Sequence, residues 1–378
     1  MNKSTHIWDT PSAYLTAQTP DHPVHFFAPE KLHAQAQRFC RGFNGLVSFA
    51  VKANPDPVVI SNLLAAGITA FDVASPAEIA LVQSLGVNAA LHYNNPVRSK
   101  AEIDFAHKAG VKSYSVDTVG ELAKINAIIP AKDVEISVRF KLPITGAAYD
   151  FGDKFGAIPT KAIELLIQAK TMGYKTSLTF HPGTQCENPK AWKGYIQEAA
   201  RIAKAANIPL YRLNVGGGFP CQIDGPAPDL EAFFTLISET ARNAFGADCP
   251  PLVCEPGRAL VAESFVHATR VKSINDKSDV YLNDGIYGGL SEFPTLQSNR
   301  QFTIIPPDHA LRTGKINPAT VFGPTCDSLD VLPRPLPLPA DLCEGDYIVF
   351  KSMGAYVHGV TTNFNGYGQI KTVMVLTF

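Results

Sequence analysis

One lysine stands at the end of a short apolar run in SFAVKANPDPVVISNLLAAGITAFD, residues 48–72. Phe49, Ala50 and Val51 precede Lys52, Asn54-Pro55 breaks the run, and Val58, Val59, Leu63 and Leu64 recur at helical spacing before Ile68–Val73 turns extended again. The pattern predicts strand, loop, helix, strand. An amine at the carboxyl end of a parallel strand faces the mouth of a barrel or sheet, where α/β proteins place their chemistry. Burial there would depress its proton affinity and make it a Schiff-base nucleophile. Further along, three consecutive glycines, Gly216, Gly217 and Gly218, follow an apolar run in NVGGGFP, and Cys326 sits in the glycine-proline turn GPTCDSLD. As residues alone, the triplet fits a flexible loop as well as a backbone cradle for an anion. The cysteine reads as an exposed thiol.

The elements that must position these groups follow a rhythm. From about Ala28 to Ser264, apolar strand-like runs alternate with amphipathic helical stretches such as Pro76–Leu85 and Ala191–Ala205. The runs are Val47–Val51, Ala70–Val73, Ala89–Tyr93, Ser113–Val116, Glu135–Phe140, Ser177–Phe180, Arg212–Val215 and Pro251–Cys254. Eight strands predict an α/β fold, a (β/α)8 barrel spanning 28–264. Beyond Ser264 the texture changes to short β runs (Val266–Ile274, Asp279–Leu282, Phe302–Ile305, Thr320–Phe322, Asp346–Phe350, Lys371–Leu376) between Pro-, Gly- and Asp-containing turns. A second, all-β domain over 265–378 is expected. The proline-rich PRPLPLP, 333–339, reads as a loop or extended connector.

Bulk properties narrow the function. The 33 basic and 34 acidic side chains give a net charge of −1, which favours neither nucleic acid nor an anionic membrane as partner. The first residues, MNKSTHIWDTPSAYL, contain no apolar leader, and no run approaches the length of a bilayer span, so a cytoplasmic location is expected. The seven cysteines are scattered without CxxC spacing, which predicts reduced thiols and no metal site.

FAVKANP, followed by FDVAS with Asp72 and Glu78, resembles the signature of the fold-type III pyridoxal-phosphate (PLP) decarboxylases, the ornithine/lysine group, and the resemblance continues through at least six motifs over about 90% of the chain. It implies the alanine-racemase-like pairing of barrel and β domain, with residues 1–27 adding a strand to the latter. It also implies the site. Lys52 would hold PLP, with Asp72 pairing to the lysine once substrate has displaced it. Gly216, Gly217, Gly218, Thr184 and Arg258 would face the phosphate together with Tyr356 of MGAYVHGVTTNFNGY. Glu255, before Gly257 in CEPGR, would accept from the pyridine nitrogen, His181 of HPGTQ would stack on the ring, and Arg139, with Lys154-Phe155-Gly156 downstream, would lie near the phenolic oxygen. Cys326 would reprotonate the decarboxylated carbon. Asp327 and Asp284, the latter in YLNDGIYGGL, would bind the distal amine, and Phe364 would wall the pocket.

In that family Cys326 and Asp327 serve the neighbouring subunit, so a homodimer is expected. The implied reaction converts ornithine or lysine to the diamine for polyamine synthesis, putrescine being one product. Two carboxylates suit a charged terminal amine, because hydrogen bonds to charged groups each contribute about 1.5–3 kcal/mol. The same resemblance leaves room for a diaminopimelate or carboxynorspermidine-type decarboxylase, for a racemase and for a catalytically silent regulator. Racemases of this fold use arginine at the pyridine nitrogen, against which Glu255 speaks, and the full residue set argues against a silent homologue. Two positions depart from the pattern: Asn214 stands where relatives often have aspartate, and His358 where a small residue is usual.

Overall fold

The computed structural model describes residues 6–86, 88–143, 154–298 and 300–378. Two compact units divide the chain: residues 35–220 with 228–260, and the residues up to Ala34 with 221–227 and 261–378. The first is a closed barrel of eight parallel strands, β1 (Leu46–Ala50), β2 (Ala70–Val73), β3 (Ala90–Tyr93), β4 (Ser113–Val116), β5 (Glu135–Arg139), β6 (Lys175–Thr179), β7 (Leu213–Asn214) and β8 (Leu252–Cys254). Pairing of Leu46 with Val253 closes the ring. All eight expected strands are present. Their residues are mostly buried, polar ones such as Ser115, Ser137 and Ser177 included, because side chains cover them inside and helices outside.

Local signals start those helices. Asp56 accepts from Val58 N at 2.8 Å to begin Pro57–Ala65, Ser75 begins Pro76–Ser84, and Thr118 begins Val119–Asn126. Ser99 and Glu102 form a reciprocal capping box at Lys100–Lys108. Each such cap contributes about 1 kcal/mol and fixes where the strand-to-helix loop ends.

The amino-terminal end of the barrel is plugged by a charged network. Arg212 donates through Nε and Nη2 to the two oxygens of Glu135, Ser177 Oγ donates to Glu135 Oε1 at 2.5 Å, and His92 lies between Ser48 Oγ, 3.1 Å away, and Arg212 Nη1, 3.4 Å away. Burial pushes the Glu135 carboxyl upward, but the hydrogen bonds and charge of Arg212 prevail and hold it below its usual range. A cavity of about 570 Å³ at this end is lined by His92, Glu135, Lys175 and Arg212.

In the second unit Val24–Phe27 lies inside the main sheet, antiparallel to Phe265–Ile274 and parallel to Lys371–Met374. Tyr347–Phe350 and then Phe302–Ile305 extend the other side. The long strand shifts register between Val271 and Ser273 and from there pairs Val280–Leu282, which pairs Val321–Phe322. The proline-rich segment is more than a connector: Leu336–Pro339 pairs antiparallel with Ile316–Ala319. Leu336 and Leu338 are buried while Pro337 is exposed, so the two-residue alternation of a strand survives in a sequence whose prolines allow only a two-stranded ladder. No helix among the described residues is long and apolar enough to cross a membrane.

Candidate active site

The carboxyl ends of the eight barrel strands carry the polar groups singled out in the sequence for the barrel, together with several that were not. Lys52 occupies a single 3₁₀ turn, Val51–Ala53, directly after β1, and its Nζ lies 3.9 Å from Asp72 Oδ2 on β2. The expected burial of the lysine is not found: its side chain is 49% exposed, whereas Asp72 is 5% exposed. What is buried is the set of partners. The EPGR turn holds the lysine turn in place, with Pro256 O accepting from Ala50 N at 3.2 Å. A Cβ on Gly257 would sit 2.9 Å from Ala53 Cβ, which gives that glycine a steric role.

Glu255 follows β8 and is buried. Asn94, just past β3, and Asn214, on β7, both donate through Nδ2 to its Oε1. Asn214 Oδ1 in turn accepts from Gly216 N at 2.9 Å, so the unusual asparagine before the glycine triplet joins the carboxylate to the glycine loop. Desolvation, and then the neighbouring charge of Asp72, push the Glu255 carboxyl up to about 8. Asp72 is also raised by desolvation, opposed by Lys52, by a hydrogen bond from Asn94 and by Arg139.

The glycine triplet is a packed loop. A Cβ would lie 2.1 Å from Phe180 O at Gly216, 2.5 Å from Glu255 O at Gly217 and 2.1 Å from Gly183 O at Gly218. The φ angles of +70° and +84° at Gly216 and Gly218 add a backbone reason for glycine. Cys186 N donates to Gly218 O at 2.9 Å and Glu255 N to Gly216 O at 2.8 Å, so both ends of the triplet are tied down. Its neighbour is His181, after β6, whose Nδ1 accepts from Gly183 N at 3.0 Å. That bond leaves the proton on Nε2. Desolvation, then the charges of Lys52 and Arg139, depress the imidazole well below its ordinary range, so it is neutral at physiological pH. Thr184 is half-buried three residues on, and Arg258 is buried at the start of Arg258–Val261. Arg139 ends β5 with its guanidinium 5.1 Å from the Phe155 ring centre, and Gly156 N donates to Asp117 Oδ2 at 3.0 Å.

The remaining expected residues belong to the β unit. Cys326 is exposed, and Asn365 Oδ1 accepts from both its backbone N, at 3.1 Å, and its Sγ, at 3.2 Å. Tyr287 donates its hydroxyl to Asp327, and its ring lies 5.0 Å from that of Phe364, which is 41% exposed. The turn itself is built around the buried Asp330, which accepts from Ile286 N at 3.0 Å and from Thr325 Oγ1 at 2.7 Å. Tyr356 is half-buried with φ +55°. Asp284 departs from expectation. It is 1% exposed, and its oxygens accept from Gly285 N and Gly289 N at 2.9 Å each, with His267 Nε2 at 2.7 Å. A Cβ on Gly288 would fall 1.8 Å from Asp284 Oδ1, so the glycine pair of YGGL wraps this carboxylate. Asp284 is a structural anchor, and only Asp327 of the two presents a carboxylate at the surface.

The barrel-mouth residues form a suitable donor set for a phosphorylated aromatic cation. A closely packed glycine loop offers backbone N–H groups that any side chain would block, a buried carboxylate has one oxygen tied down, and a neutral imidazole is fixed in orientation. Comparison with known proteins agrees. The family described as pyridoxal-dependent decarboxylase, pyridoxal binding domain, matches residues 29–262. Ornithine decarboxylase 2 of Drosophila melanogaster is 33% identical, over 86% of this chain and 84% of its own. The arginine decarboxylase of Paramecium bursaria Chlorella virus superposes with a TM-score of 0.86 at 26% identity, over 95% of this chain and 98% of that one. The lysine/ornithine decarboxylase of Vibrio vulnificus, solved with cadaverine, gives 0.82 at 29% identity, over 93% and 94%.

Proposed function

The chain belongs to the fold-type III PLP-dependent decarboxylases, enzymes of the lyase class, and we propose that its substrate is ornithine or lysine, released as putrescine or cadaverine. Bound PLP supplies the electron sink for the bond between Cα and the carboxylate. Lys52 holds the cofactor through its amine, and Asp72 receives the ammonium charge of that lysine when substrate takes its place. Glu255 keeps the ring nitrogen protonated, the neutral His181 covers a ring face, and the glycine triplet with Thr184 and Arg258 takes the phosphate. Cys326 returns a proton to the substrate Cα, and Asp327 binds the distal ammonium. The last two residues act in the site of a second copy, so the working enzyme is a homodimer in the cytoplasm.

The observation that carries the substrate assignment is the Cys326–Asp327 pair on one loop, its thiol fixed by Asn365 and its carboxylate by Tyr287. An anion beside the proton donor suits a substrate with a cationic end. With Asp284 turned inward, one of the two expected carboxylates remains, which is compatible with ornithine, lysine or the longer arginine side chain. The test is release of CO2 from ornithine, lysine, arginine and diaminopimelate by the purified enzyme and by Lys52→Ala. Turnover of ornithine or lysine at least tenfold above the others, lost in Lys52→Ala, is the expected result. Turnover confined to arginine or diaminopimelate refutes the assignment.

A further inference from the structure

Resting on the reading above that Glu255 faces the pyridine nitrogen, we propose that Asn94 is a positioning residue for that carboxylate, holding one Glu255 oxygen so that the other is left for the ring N–H. Asn94 lies in LHYNNP, two residues past His92 on the same side of the chain as it leaves β3. Its Nδ2 donates to Glu255 Oε1, and the same amide lowers the proton affinity of the neighbouring Asp72. An ionised carboxylate only accepts, so the amide turns its nitrogen toward Glu255. Asn214 adds a second donor to the same Oε1, with its own orientation fixed by Gly216 N. Oε2 of Glu255 has no hydrogen-bond donor among the described residues. Around the pair stand Lys52 from the turn after β1, Arg139 from β5 and His181 after β6. Without that donor Glu255 keeps the repulsion of the buried Asp72 and loses one of the bonds that favour its charged form, and a carboxyl that takes a proton can no longer pair with a cationic ring nitrogen.

The experiment titrates the full-length enzyme, stripped of cofactor, with PLP from pH 6 to 9, for wild type, Asn94→Ala, Asn94→Asp and Glu255→Gln. Loss of an amide donor to the charged form raises the proton affinity of Glu255, so the acid limb of PLP affinity moves to higher pH. For Asn94→Ala we expect the dissociation constant at pH 7 to rise about tenfold and the limb to move up by about one unit. Asn94→Asp keeps the shape, adds a third carboxylate and is expected to shift the limb further; it also serves if the alanine variant folds poorly. A residue with a merely structural role would weaken binding equally at every pH. If both Asn94 variants keep the wild-type limb while Glu255→Gln abolishes it, the positioning role is wrong and the placement of Glu255 stands. If Glu255→Gln also keeps the wild-type limb, the placement of Glu255 itself fails.

Discussion

His92 provides a direct measure of how the barrel is held together at the end away from the site. Its ring is buried between Ser48 and the permanently charged Arg212, which can only donate, so Nε2 accepts and Nδ1 carries the proton. Desolvation, and then Arg212, lower its proton affinity from 6.5 to about 4, with Glu135 opposing. The folded state therefore keeps His92 neutral, while the unfolded chain binds a proton below about 6.5. Stability from this group is fully present above the unfolded value and is lost as pH falls from about 6.5 toward 4. The full loss amounts to about 2.5 units, or about 3.4 kcal/mol, of which about 2 kcal/mol is gone at pH 5. His92→Gln cannot titrate and abolishes this contribution, whatever constant penalty the lost contacts impose. The chain has two tryptophans, Trp8 and Trp192, and Trp192 is buried in the barrel unit, so a Trp8→Phe background makes fluorescence a probe of barrel unfolding. Urea denaturation at pH 7.5 and 5 should show the His92 protein losing about 2 kcal/mol more than His92→Gln. Equal losses in both would refute the buried, neutral His92 and the orientation of Arg212 with it.

Other perturbations test the remaining parts. Gly217→Ala drives a methyl to within 2.5 Å of Glu255 O and 3.1 Å of His181 Nε2; overpacking of this kind costs about 1–3 kcal/mol, and a raised melting temperature in a thermal scan would contradict the packed-loop reading. Asp284→Ala leaves His267 and two backbone N–H groups without their acceptor, and is expected to destabilise the β unit by several kcal/mol, at about 1–3 per unmet group, as read by hydrogen exchange in Val24–Phe27 and Phe265–Ile274. Asn365→Ala removes the acceptor that holds both the Cys326 backbone N–H and its thiol; with the side chain freed, carbamidomethylation of Cys326, followed by peptide mass spectrometry with Cys343 as internal control, should become faster.

Much of this was legible in the chain because a parallel barrel strand is buried on both faces and therefore shows as an apolar run, and because chemistry on such a fold gathers where those runs end. Lys52, Asp72, Glu255 and the glycine triplet all fall at such ends. Asn94 escaped notice for the converse reason: Asn-Asn-Pro reads as a turn, and nothing in one sequence says that the first amide faces across the barrel to Glu255. Asp284 was assigned by resemblance to the substrate, yet its surroundings carry a clue. Glycines at 288 and 289 leave space for a carboxylate turned inward, and the buried His267 that meets it comes from a strand that no local pattern connects to the turn. The Leu336–Pro339 strand was hidden by its prolines, whose missing N–H groups argue against a ladder, although the alternating leucines already marked one buried face.

The two ends of the barrel treat their buried charges in opposite ways, and that difference supports the proposed site. At the amino-terminal end Glu135 has both oxygens bonded to Arg212, a serine joins the network, and the carboxyl lies below its usual range. At the carboxyl end two buried carboxylates share Lys52 and Arg139, both are raised, and Glu255 reaches about 8. A fold selected for stability alone would pair the second set as it pairs the first. On the proposed role of Glu255, a cation bound against it would relieve the repulsion from Asp72 and return the carboxyl toward its ordinary range, so part of the affinity for a protonated ring would come from strain that the apoprotein already carries. The same reasoning makes PLP stabilisation of the barrel depend on Glu255. Saturating PLP should raise the melting temperature of the wild type by several degrees, and of Glu255→Gln by less. An equal rise in both would place the stabilisation in the phosphate loop alone and remove the carboxylate pair from the account.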